Sequence, residues 1–182
     1  MIVHFTSDSV EGRVPPGANR AGACAIVAAA LVLVGVLPAA ADVSGKVVAV
    51  HDGSTITVVT NSQQTRLRLA AIDAPDITQP HGKDSRQSLA GLCLGKTAAL
   101  GDDRSDAGGR AHARVQCDGI DAGEQQVRRG LAWVDPQTAA KDSPLHALES
   151  GAKAARRGLW ADPAPVPPWI WRRKMCCSVS VQ

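Results

Sequence analysis

The chain contains no tyrosine, one phenylalanine and only 3% aromatic residues, so its 182 residues offer little beyond four tryptophans as large flat surfaces. Stacked aromatic platforms of the kind that hold unpaired bases are correspondingly scarce. No C-x-x-C spacing occurs among the five cysteines, which argues against a zinc site. The longest apolar run, Ala25 to Leu37, falls short of the ~20 residues needed to cross a bilayer. Neither an internal repeat nor a β–α–β rhythm is present, which argues against a parallel α/β sheet. Charge of one sign is not in large excess. A net charge of +3 and a pI near 8.7 permit a polyanionic partner without requiring one.

What is present begins with an N-terminal attachment. Arg13 and Arg20 precede the apolar run, and "PAAAD" follows it with small residues at Ala39 and Ala41. A basic region, an apolar stretch and an A-x-A site in that order predict a signal peptide over 1–41, cleaved after Ala41. The alternative, an uncleaved anchor, is disfavoured by the shortness of the run. Export to the periplasm or the cell exterior is therefore expected, with no stable membrane association after cleavage. Cys24 leaves with the signal; Cys93, Cys117, Cys176 and Cys177 stay. A Cys93–Cys117 bridge is expected because "LCLG" should end a helix and "VQCDG" a strand, the alternative being two buried free thiols.

Periodicity organises the rest into a domain over 42–173 and a tail, 174–182, expected to be disordered. Val43 to Val50, Ser54 to Thr60 and Thr65 to Ile72 are β-rich runs separated by "HDGS" and "NSQQ", both of turn composition, which predicts a meander. A helix from Ser85 closed by Gly95 follows. "KTAALG" and "RAHARVQC" are strand candidates flanking the loop "DDRSDAGG". Helices are predicted over "DAGEQQVRRG" and over "SPLHALESGAKAARRG", the latter capped by Ser143 and stopped at Gly158. The proline-rich "LWADPAPVPPWIWRRK" should be extended, its tryptophans covering the domain body. Early strands with interspersed helices point to a small closed β-barrel. Paired arginines recur at Arg128, Arg156 and Arg172, a pattern that most often marks solvated surface.

The stretches "DGSTITV", "RLRLAAIDAPD", "QPHGKDS", "GGRAHARV", "VRRGLAWV" and "ARRGLWADPAPVPPWIWR", in this order, resemble the thermonuclease family, the staphylococcal-nuclease-like domain. The similarity spans nearly all of Val43 to Arg173. It implies an α+β, mainly β fold: a five-stranded OB-fold barrel with about three helices. It also implies calcium-dependent hydrolysis of DNA and RNA phosphodiester bonds, and the chain is expected to be a monomer.

Such hydrolysis needs a hard cation on oxygen ligands, a base for water and guanidinium groups facing the phosphate. By resemblance, Asp73 is a calcium ligand and Ala74 ligates through its carbonyl. Arg68 and Arg110 clamp the phosphate, and Asp52 is an acidic residue near the metal. Arg68 precedes Asp73 by five residues, an odd spacing that in a strand alone would separate their faces, so a turn must re-aim the aspartate. Arg66 should share the Arg68 face at the barrel surface.

Two positions depart from the family pattern. Ser54 stands where the family has a second metal-ligating aspartate, which implies weak calcium binding or its loss. Asp76 stands where the general base is a glutamate, retracting the carboxylate by one methylene, and a misplacement of about 1 Å can cost on the order of 100-fold in rate. The family's nucleotide-contacting tyrosines have no counterpart unless Trp133 or a later tryptophan supplies the surface. The expected function is therefore an exported nuclease of attenuated activity, with a non-catalytic OB-fold nucleic-acid-binding module as the alternative.

Overall fold

Alternating residues that point in and out of a curved sheet set the architecture. The computed structural model describes residues 43–105 and 111–178, which belong to one compact unit, Ala39–Gln182. At 102–105 and 176–178 only the backbone is described. The expected signal over 1–41, Arg110 and residues 179–182 lie outside the described residues.

Strands β1 (Val43–Val50), β2 (Thr55–Thr60) and β3 (Gln63–Leu69) form the expected meander, with Val47 opposite Val58 and Ile56 opposite Leu67. A two-residue strand, β4 (Ile72–Asp73), and helix α1 (Gly82–Cys93) lead to β5 (Thr97–Ser105), which returns antiparallel to β1. Strand β6 (Ala111–Cys117) pairs antiparallel with β5 and parallel with β3, bringing Leu67 opposite Ala111 and Leu69 opposite Ala113. That last pairing closes the sheet into a five-stranded mixed barrel, the OB-fold geometry, and removes the open edges. Val47, Ile56, Val58, Leu67, Leu69, Ala113 and Val115 fill its interior, each at most 3% exposed.

Short β7 (Ile120–Asp121) runs into α2 (Ala122–Arg128), whose first turn is capped by the Asp121 carboxylate accepting from the Glu124 amide at 2.9 Å. Strand β8 (Trp133–Val134), α3 (Leu145–Ala154), a 3-10 turn at Gly158–Ala161 and α4 (Pro168–Ser178) complete the chain. The Ser143 hydroxyl accepts from the Leu145 amide at 3.3 Å, the capping role expected of it. Cys93 and Cys117 form the expected disulfide, their Cα atoms 5.4 Å apart, tying the end of α1 to the end of β6. No helix among the described residues is long and apolar enough to cross a membrane.

Two expectations require correction. Helix α1 begins at Gly82, three residues before Ser85, because the Gly82 amide already donates to the Gln79 carbonyl at 2.9 Å. Only glycine permits this start, since a Cβ there would lie 2.0 Å from the Asp76 carbonyl oxygen. The second concerns the C-terminal segment. From Pro168 onward it is helical instead of extended, and helix α4 takes in residues 174–178 of the tail expected to be disordered. Proline is tolerated at the first helical position, where its missing N–H would be unpaired anyway, and no proline follows it. Four helices therefore stand where about three were expected.

One buried polar side chain joins these layers. Gln126 of α2, 0% exposed, donates from Nε2 to the Gly53 carbonyl at 2.8 Å and to the Ser85 carbonyl at 2.9 Å. Ser85 in turn donates to the Leu131 carbonyl at 2.6 Å. The β1–β2 turn is thereby fastened to α1 and α2, and Gly53 lies so close that a Cβ would meet Ser85 Oγ at 1.7 Å. Replacing Gln126→Leu strands buried carbonyls and should cost about 3 kcal/mol in urea denaturation. A loss under about 0.5 kcal/mol would show that this network is not structural.

Candidate active site

Asp73 sits where two strands and a turn converge. Ala70 and Ala71 turn the chain after β3, Ala71 in the left-handed region at φ 62°, and the Ala71 carbonyl is held by the Asp135 amide at 3.0 Å. Strand β4 then pairs with β8, Asp73 opposite Trp133. This reversal performs the expected re-aiming. The Asp73 carboxylate faces back toward β3 and receives Arg68 Nη2 on Oδ1 at 2.5 Å. Leu67 and Leu69 point inward while Arg68 is half-buried and Arg66 exposed, so the two arginines share the outer face as predicted.

The second partner of Asp73 comes from the other end of the chain. Arg172 on α4 donates through Nη2 to Asp73 Oδ2, and its Nη1 lies 3.5 Å from Asp76 Oδ1. Both oxygens of a carboxylate that is 4% exposed are thus engaged by guanidinium groups. Gln79 positions α4 for this contact: its Nε2 donates to the Val166 carbonyl at 2.5 Å and its Oε1 accepts from the Asp76 amide at 3.3 Å. The turn carrying Asp76 and the segment leading into α4 are therefore joined through one buried side chain.

Burial pushes the Asp76 carboxyl above the ordinary carboxylate range; Arg172 opposes that rise, while Asp73 and Asp52 add to it. Burial alone would lower the Arg172 guanidinium, but hydrogen bonding and attraction from Asp73, with a further pull from Asp76, hold it above its usual value. Arg68 Nε is buried and has no hydrogen-bond acceptor among the described residues. Asp52, Ser54, Arg66, Arg68, Asp73, Ala74, Asp76 and Arg172 all line one cleft of about 600 Å³. Of the predicted site residues only Arg110 is missing from it, being outside the described residues.

Chemically the oxygen donors suit a hard cation, but the innermost of them are already engaged. Both Asp73 oxygens already accept from guanidinium groups, Oδ1 from Arg68 and Oδ2 from Arg172. Asp52 Oδ1 is turned into its own loop, accepting from the Ser54 amide at 2.8 Å and from the Ser54 hydroxyl at 3.1 Å. Among the described residues no three His, Cys, Asp or Glu side chains converge as a metal cluster would require. In this arrangement the set does not fit a calcium ion.

Arg172 is the site residue that sequence reasoning missed. Its signal was Pro168 followed by "WIWRRKM", which places Trp171 and Met175 one helical turn apart on a shared face. An adjoining groove, about 520 Å³ and continuous with the first through Asp52, Arg66, Asp76 and Arg172, is walled by Ile77, Trp171 and Met175. Trp133 does not reach either cleft; it is 6% exposed and packs edge-on against Trp160 with ring centroids 5.3 Å apart.

Comparison with known proteins agrees with the barrel. The family described as Staphylococcal nuclease homologue matches residues 66–162. A protein of Escherichia coli O157:H7 named as an uncharacterized endonuclease is 41% identical over 135 residues, covering 74% of this chain and 88% of its own. A micrococcal nuclease of Shigella flexneri is 38% identical over 160 residues, covering 81% and 90%. The ParB protein of Escherichia coli is 37% identical over 159 residues, covering 81% and 89%. The chain belongs to the staphylococcal nuclease family.

Proposed function

We propose that this chain is a nuclease that hydrolyses phosphodiester bonds of DNA or RNA in the cleft around Asp73. The observation that carries the reading is the placement of a half-buried carboxylate, Asp76, beside guanidinium groups from β3 and α4 in a single open cleft. A phosphodiester in that cleft meets Arg68, whose planar fork neutralises charge building on the equatorial oxygens. Asp76 takes the proton of the attacking water. Its raised pKa makes it a stronger base than a solvated aspartate. Arg110 is the second clamp that the family resemblance implies. Asp73 orients Arg68 and does not itself touch the phosphate.

Asp73, Ala74, Ser54 and Asp52 are the calcium ligands that the family resemblance implies, but as arranged they do not fit the ion, and no step of this reading runs through it. Trp171 offers the face on which a base flanking the scissile phosphate stacks, replacing the absent tyrosines. Export with cleavage after Ala41 is supported by the Cys93–Cys117 disulfide, a bond that persists in oxidising compartments. A binding module without catalysis is disfavoured, because binding alone gives Asp76 no task beside a phosphate.

The direct test is hydrolysis of a fluorophore-quenched single-stranded DNA by the full chain, with calcium titrated and Arg68→Ala run alongside. Cleavage that falls on the order of 100-fold or more in the variant supports the reading. Cleavage unchanged by it contradicts the placement of the site. Independently, Asp76→Glu restores the longer carboxylate reach of the family and should raise kcat, whereas Asp76→Ala should abolish turnover while sparing DNA binding. Full activity in Asp76→Ala would remove this residue from the mechanism.

A further inference from the structure

Arg172 stands where a cation is expected. It contacts Asp73 through both Nη atoms, and Nη1 also approaches Asp76 at 3.5 Å, bridging two acids from a helix that arrives 96 residues after the second of them. We propose that the Arg172 guanidinium occupies the cation seat of this cleft, so that its pairing with Asp73 and the binding of a divalent cation exclude one another. The proposal rests on the nuclease reading for its biological meaning, but not for its physics.

Three observations support it. First, Asp73 is the most deeply buried of the three cleft carboxylates, and each of its oxygens already accepts from a guanidinium, Oδ1 from Arg68 and Oδ2 from Arg172, so a metal would have to share an oxygen with an arginine. A divalent ion and a guanidinium a few ångström apart in a half-buried site repel too strongly to share that oxygen. Second, the charge is already nearly balanced. Asp52, Asp73 and Asp76 share the cleft with Arg66, Arg68 and Arg172, three charges of each sign, and Ser54 brings no further carboxylate, so a dication entering beside the arginines lacks counter-charge. Third, the Arg172 side chain is 41% exposed, against 5% for Asp73. A long side chain at the cleft mouth can swing into solvent while Gln79 still holds the Val166 carbonyl, so the seat can be vacated without unfolding α4.

The consequence is a cation affinity set by a residue outside the ligand set. When the cation enters, Arg172 is released beside the cleft, where a phosphate oxygen can receive it. At low cation concentration the arginine keeps the carboxylates compensated and the helix docked.

The test measures cation binding directly on the full chain, using calcium chloride calorimetry and terbium luminescence sensitised by tryptophan, for the unsubstituted protein, Arg172→Gln and the control Arg173→Gln. Arg172→Gln should bind calcium about tenfold more tightly or better, and Arg173→Gln should match the unsubstituted chain. Equal or weaker binding by Arg172→Gln overturns the proposal. Should that variant fold poorly, side-chain NMR of the unsubstituted chain decides: saturating calcium should move the Arg172 Nε–H resonance towards that of a solvated arginine while the α4 amides hold their protection, and an unmoved resonance overturns the exclusion. Tighter calcium binding by Arg172→Gln upholds the proposal even if the chain cleaves no DNA, and unaltered binding defeats it even if the chain is an active nuclease.

Discussion

A carboxylate buried to the depth of Asp73 costs several kcal/mol unless positive charge and hydrogen bonds meet both of its oxygens. The fold answers that demand from two directions, with Arg68 on the third barrel strand and Arg172 on the C-terminal helix. Much of the local structure follows from placing those partners. The left-handed turn at Ala71 aims the aspartate back at β3, pairing with β8 fixes its backbone, and Gln79 holds the start of α4 within reach. The same charges that stabilise the aspartate are the ones a phosphate needs, so stability and substrate binding draw on one set of groups.

The barrel supplies rigidity around this point. Parallel pairing of β3 with β6 fixes Arg68 in a closed sheet, and the apolar interior beneath it leaves the arginine only the outer face. Gln126 and Ser85 lock the turn bearing Asp52 and Ser54 against two helices from inside. Loops that bind ligands are normally the least stable parts of a domain, and here the turn closest to the carboxylates is instead fastened by buried hydrogen bonds. The disulfide adds a covalent tie between α1 and the end of β6, on elements that carry no predicted site residue in their paired segments.

Much of this was legible in the sequence because it is local. Alternation in β1 to β3 announced the meander, and the odd spacing between Arg68 and Asp73 announced the turn that joins them. The ends of α1 and β6 announced the disulfide. What was not legible depends on distant packing. Prolines before Trp169 suggested an extended tail, yet the last of them, Pro168, starts a helix, and nothing local says that this helix lies over the cleft. The meeting of Arg172 with Asp73 across 99 residues was therefore invisible. The unfitness of the oxygen donors for calcium follows from the same long-range contact, beyond what Ser54 alone foretold. Arg110, read by resemblance as a phosphate clamp, lies outside the described residues and stays a proposal.

The pairing of Arg172 with Asp73 joins the C-terminal helix to the cleft, and a double-mutant cycle measures its strength. Urea denaturation of the full chain, Asp73→Asn, Arg172→Gln and the double variant gives the coupling free energy between the two side chains. The pairing described here predicts a coupling of about 1–3 kcal/mol, each single variant leaving the other group with only its second partner, Arg68 for Asp73 and Asp76 for Arg172. Additive effects, with coupling below about 0.3 kcal/mol, would contradict it and would return the C-terminal helix to the role of a bystander.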